Sequence, residues 1–158
     1  MTLNELEALL PNGLHDAYLK RLSVDYAART AVLELDISLS YPEGATQEER
    51  EGYAPGAITV SGLRFCIVEA PEYEGAEEGA VSIDAGPSTP EVIQKYGWKL
   101  PPVPPDCFRH WLYVSSWNTF IHLAGREARL SPGPETFWHH YPRELWPAGL
   151  GGYPTAPA

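Results

Sequence analysis

The stretch Thr30-Ala31-Val32-Leu33-Glu34-Leu35-Asp36-Ile37-Ser38-Leu39 decides the fold. Leu33, Leu35, Ile37 and Leu39 alternate with polar residues, the period of a strand buried on one face. Just upstream, Leu22 and Val24 alternate with Arg21, Ser23 and Asp25. The two runs are separated by Tyr26-Ala27-Ala28-Arg29 and read together as a β-hairpin.

Working outward, Thr2-Leu3-Asn4-Glu5 has the form of a capping box. Leu3, Leu6, Leu9 and Leu10 then share one helical face until Pro11 and Gly13 stop the run. A short N-terminal amphipathic helix packed on a sheet is expected. Thr46 to Gly52 suits a helical turn inside a polar loop. Ala57 to Ala70 reads as one strand with a bulge or bend near Ser61-Gly62, and Ala80 to Ala85 as another. Pro90 to Tyr96 suits one helical turn with Pro at its first position. Lys99 to Pro105, with four prolines, is an extended connector. Cys107 to Ser116 is strand-like, and Thr119 to Ala124 and Glu127 to Leu130 flank Gly125-Arg126 as a further hairpin.

These runs predict an α+β protein: mainly antiparallel sheet, a short N-terminal helix and long loops. Pro and Gly fill 30 of 158 positions, which favours short strands and many turns over a helix bundle. Residues 1–134 form one domain on this reading. Residues 135–158 form a Pro- and aromatic-rich tail that either wraps the domain through Phe137, Trp138 and Trp146 or is partly disordered near Gly149 to Ala158.

Eleven of the 21 acidic residues lie between Glu43 and Glu91, against Arg50 and Arg64, so this segment carries nine of the ten net negative charges. Such a field attracts basic partners and repels nucleic acid and anionic membrane surfaces. Glu48, Glu49 and Glu51 form one cluster, and Glu72, Glu74, Glu77 and Glu78 a second. The plain reading is two solvated loops; the functional one is a convergent face that steers a basic protein. No apolar run is long enough to span a membrane, and Glu5 and Glu7 stand where a signal peptide carries basic residues. Cys66 and Cys107, with no CxxC spacing, read as buried thiols in a reducing, cytoplasmic setting.

No phosphate-cradling loop, nucleophile elbow, HExxH or paired CxxC is present. His15-Asp16 is the best candidate for polar chemistry. Read as the start of a strand, the two side chains point to opposite faces and do not share a metal; hydrogen bonding to the turn after Asn12-Gly13 is the simpler role. His139-His140, with His110 and His122, lack nearby Cys or carboxylate at ligand spacing, so imidazoles packed among rings and bonded to backbone are expected, with no metal and no cofactor. Trp111, Trp117 and Trp138 line a candidate pocket with His15, Asp16 and His122; an equally simple reading places most of the aromatic residues in the core.

Gly13-Leu14-His15-Asp16-Ala17, the hairpin that follows it and the later Trp117-Asn118-Thr119-Phe120-Ile121 run resemble bacterial immunity proteins of polymorphic toxin systems. The resemblance implies an antiparallel sheet, no catalytic residues and neutralisation of a cognate toxin by binding; the acidic clusters make a basic toxin domain the expected partner. The alternative expectation is a small-molecule binder or atypical metal-dependent hydrolase using His15 and Asp16 near the aromatic pocket.

Overall fold

The hairpin forms as its alternation requires. In the computed structural model, which describes residues 1–39, 44, 46–72, 79–133 and 142–154 (backbone only at Glu48 and Glu49), β1 (Ala17–Asp25) pairs antiparallel with β2 (Thr30–Ser38). Leu33 and Ile37 are fully buried and Leu35 is nearly so. Asp25 Oδ1 accepts from the Ala28 N–H at 2.9 Å and closes the turn. A bulge between Leu19 and Arg21 shifts the register, so that consecutive Lys20 and Arg21 both face outward. There they pair at 2.5 Å with Asp36 and Glu34, their neighbours across the strand pair.

Among the described residues, six further strands join them in one antiparallel sheet: β3 (Tyr53–Ser61), β4 (Phe65–Val68), β5 (Val81–Pro87), β6 (Phe108–Val114), β7 (Thr119–Gly125) and β8 (Glu127–Pro132). Their order is β4-β7-β6-β5-β1-β2-β3-β8. With short helices at Leu3–Leu9 (α1), Gln47–Glu51 (α2) and Pro90–Tyr96 (α3), the architecture is α+β.

The order contains a geometric constraint. β7 and β8 are separated by Arg126 alone, yet lie second from one end of the sheet and last at the other. The sheet must therefore curl until its ends meet. The expected β7–β8 hairpin is not formed: β7 pairs with β4 and β6, and β8 pairs with β3. β3–β4 and β7–β8 are instead two bent strands running side by side. Arg126 N donates to Ser61 O at 2.9 Å and Arg64 N to Ala124 O at 2.8 Å, which carries the ladder through the corner. Gly125 permits the close approach, since a Cβ there would lie 2.5 Å from Val60 Cγ1. Gly62, at φ 62, turns the opposite strand. The expected bulge in the 57–70 run is this corner.

α1 packs between β6 and β8, which do not pair with one another. The capping box is present: Thr2 N donates to Glu5 Oε2 at 2.7 Å, and Glu5 N to Thr2 Oγ1 at 3.2 Å. Leu3 and Leu6 are buried almost completely, each stabilising the docked helix by about 1.5–3 kcal/mol. Ala128 N donates to Met1 O at 2.7 Å. Trp146 and Leu150 pack on the same core, and Gly149 lies against Leu9. Phe137 and Trp138 lie outside the described residues.

The core and the outer face follow from strand phase. Phe108, His110, Leu112 and Val114 point inward from β6, with Ile121 and Leu123 beside them on β7. Trp111, Tyr113, Phe120 and His122 point outward. The outward aromatic residues form a second layer, roofed by the turn after α3: Trp98 meets Phe120 edge-on at 4.7 Å and His122 at 4.6 Å.

Candidate functional site

His15 and Asp16 sit in the turn before β1 rather than at the start of a strand. Asp16 has φ 58, a left-handed conformation that Asp adopts more readily than bulkier residues. The strand argument that sent the two side chains to opposite faces therefore does not apply. The Asp16 carboxylate reaches 3.4 Å from His15 Nε2. His15 Nδ1 meets Asp84 Oδ1 at 3.2 Å, from the outer face of β5, which pairs with β1 at Ala17 and Ile83. The expected bonding to the turn is made by backbone and by Asn12, whose Nδ2 donates to His15 O at 3.3 Å.

Both imidazole nitrogens thus face a carboxylate. The Asp84 hydrogen bond, opposed by some desolvation and aided by the charge of Asp16, raises His15 above its ordinary value. The two carboxylates favour the cationic form of the ring.

Beside this turn two tyrosines stand outward. Tyr18 on β1 and Tyr53 at the head of β3 flank β2, with ring centroids 5.3 Å apart and an interplanar angle of 55°. Each remains 39% exposed, a large fraction for paired aromatic rings. Burial first, then the nearby Tyr18, Asp16 and Glu51, raises the Tyr53 phenol above its usual range. Glu51 closes α2 two residues before Tyr53, and its charge acts on the Tyr53 phenol. The side chains of Glu48 and Glu49 lie outside the described residues.

The second cluster is represented by Glu72, whose carboxylate accepts from Asn118 Nδ2; Glu74, Glu77 and Glu78 lie outside the described residues. Asn118 Oδ1 in turn accepts from the Tyr113 hydroxyl at 2.8 Å. The loop carrying the first cluster enters β3 at its first residue, and the loop carrying the second leaves β4 at its last.

The expected pocket residues fall in separate places. Trp111 and His122 are register partners on the outer face. Trp111 lies over Gly86, where a Cβ would sit 2.7 Å from its Cζ2. His122 Nε2 meets Glu69 Oε1 at 2.9 Å, and Glu69 Oε2 accepts from Phe120 N at 3.2 Å. Trp117 lies elsewhere, lining a cavity of about 300 Å³ with Leu19, Val68, Val81 and Ile121. Trp138 lies outside the described residues.

The two buried histidines correct another expectation. Their partners are side chains rather than backbone: Glu69 for His122, and Asn4 Oδ1 at 2.7 Å with Glu7 Oε2 at 2.9 Å for His110. His110 is buried without exposure and ties β6 to α1. Among the described residues, no group of three or more His, Cys, Asp or Glu side chains is placed to hold a metal ion.

Sequence reading missed Asp84, Tyr18, Tyr53, Glu69 and Trp98. Tyr18 had a signal, since it alternates with the inward Ala17 and Leu19. Asp84 and Glu69 had none, because their partners are 69 and 53 residues distant in the chain.

No family model matches the chain, and no curated protein matches it either. The crystal structure of an uncharacterized protein from Neisseria gonorrhoeae is similar over 75% of this chain and 93% of that one, at 12% identity and a TM-score of 0.39. A likeness that loose carries no argument about function. No helix among the described residues is long and apolar enough to cross a membrane.

Proposed function

We propose that this chain is a non-catalytic binding protein whose acidic, tyrosine-bearing face takes up a basic surface of another protein, as an immunity protein does when it occludes a toxin. The observation that carries the reading is the exposed Tyr18–Tyr53 pair, with Asp16 and Glu51 each two residues from one of the tyrosines in the chain. Tyrosine supplies large contact area with little side-chain entropy to lose, and its ring face attracts Arg and Lys. Glu51 complements the same cations, and the net charge of −10 steers a basic partner inward.

Capture of the partner from the native host, followed by binding kinetics, tests this. The captured protein should be basic, and association should slow with added salt. Replacing both Tyr18 and Tyr53 with Ala should weaken binding by at least about thirtyfold, as loss of a central aromatic anchor does. Replacing Glu72, Glu74, Glu77 and Glu78 with Gln should slow association at low salt. An acidic partner, or one held equally well by the double tyrosine variant, would defeat the proposal.

A further inference from the structure

A second feature lies away from the tyrosine face, in a groove of about 370 Å³ between α1 and the connector leading into β6. Its lining is mostly apolar, with Pro87, Pro90, Val103, Pro104 and Pro105 forming the walls. Four polar residues break that lining; Asn4 is engaged with His110 and Thr89 with Val92 N, which leaves Ser88 and Arg109. Ser88 is 8% exposed, and its Oγ is buried with no hydrogen-bond partner. Arg109 is half-buried, and its Nε is likewise buried and unpartnered. The two residues are adjacent, since Ser88 N donates to Arg109 O at 3.0 Å.

Buried donors in folded proteins are almost always paired, and a guanidinium N–H left without an acceptor is costly. The nearby acid does not serve: Asp106 Oδ2 pairs with Arg126 Nε at 3.0 Å. No ion pair to Arg109 occurs among the described residues. In a chain of net charge −10, an unpaired cation set into a proline-walled groove is out of keeping with its surroundings.

The geometry points to a binding site for a carboxylate carried on a small apolar group, with Arg109 pairing the anion, Ser88 donating a hydrogen bond and the proline walls holding the apolar part. Guanidinium and carboxylate match as planar, two-pronged partners. The walls favour a branched aliphatic substituent over a fully hydrated anion such as phosphate. A peptide C-terminus and a free aliphatic acid both present this chemistry.

Cys107 also lines the groove and reports its occupancy. The other thiol, Cys66, is pushed up to about 11 by burial and reacts slowly with alkylating reagents. Titration of the full chain with N-acetyl-leucine should show saturable binding and protect Cys107 from iodoacetamide. N-acetyl-leucinamide, which lacks the charge, should bind at least about tenfold more weakly, the usual effect of losing a charge-assisted hydrogen bond. Arg109→Gln should cause a similar loss with thermal unfolding unchanged, and Ser88→Ala a smaller one. If Arg109→Gln fails to fold, the protection of Cys107 in the unaltered protein still decides the matter.

Tighter binding of a peptide ending in Leu than of 3-methylbutyrate assigns the site to peptide C-termini, and the reverse assigns it to free acids; either result supports the carboxylate site. The inference is overturned by equal binding of acid and amide, by failure of the acid to protect Cys107, or by inorganic phosphate binding more tightly than both carboxylates.

Discussion

Gly125→Ala tests the feature on which the whole architecture turns, the corner where β7 passes into β8. The added Cβ would lie 2.5 Å from Val60 Cγ1, 3.2 Å from Ser61 O and 3.5 Å from Phe108 Cζ. Carbon atoms prefer about 3.5–4.0 Å, so the first contact is too close by about 1 Å. Val60 has no easy escape, being fully buried and β-branched. Nor does the strand, because Arg126 N is bonded to Ser61 O across the corner. Overpacking of this kind costs about 1–3 kcal/mol, and the upper part of that range applies where one neighbour is backbone. For a chain of this size each kcal/mol lowers Tm by about 2–4 °C, so a fall of about 5–10 °C is expected by circular dichroism. In urea, the midpoint should drop with the slope unchanged. Gly152→Ala, with nothing within 4 Å of the new Cβ, serves as the control and should be neutral. Val60→Ala alone should destabilise by about 2 kcal/mol. Combined with Gly125→Ala it should lose less than the two single effects together, since the clash is gone. Wild-type stability in Gly125→Ala, or strict additivity in the double variant, would show that the two bent strands do not meet as described.

Two other perturbations probe the site and its support. His110→Leu should destabilise by about 2–3 kcal/mol, because it strands Asn4 and the largely buried Glu7 carboxylate; adding Glu7→Leu should recover part of that loss in urea unfolding, and no recovery would dissociate the two residues. His15 should titrate above its ordinary value of about 6.5 in an NMR pH series, and Asp84→Asn should bring it down. Since folding raises this value, the accompanying stabilisation is full below the unfolded value and disappears as pH rises through the folded one. It is small because the side chain is 58% exposed, and a His15 that stays equally raised in Asp84→Asn would remove Asp84 as the cause.

The candidate site was only partly visible in the residues. His15-Asp16 stood out as a pair, but its third member, Asp84, arrives through β1–β5 pairing, which no local period encodes. The tyrosine pair likewise depends on β2 lying between β1 and β3. Trp111 and Trp117 share one strand phase in the chain, but β6 ends at Val114. The 3-10 turn at Ser115–Trp117 breaks that phase and sends Trp117 toward the core, while Trp111 stays in the outer layer.

Local chemistry alone set the capping box at Thr2 and Glu5, the β1–β2 hairpin, the Pro-led turn of α3 and the alternation that divides core from surface. Each depends on neighbours within a few residues, where backbone preference and side-chain period act directly. Tertiary structure decided that Gly125-Arg126 is a corner rather than a hairpin turn. A two-residue break with alternation on both sides is common to both, and only the distant strands β3, β4 and β6, by offering separate pairing edges to the two halves, determine whether the chain reverses. The same curl leaves room for α1 and brings its Asn4 and Glu7 to His110.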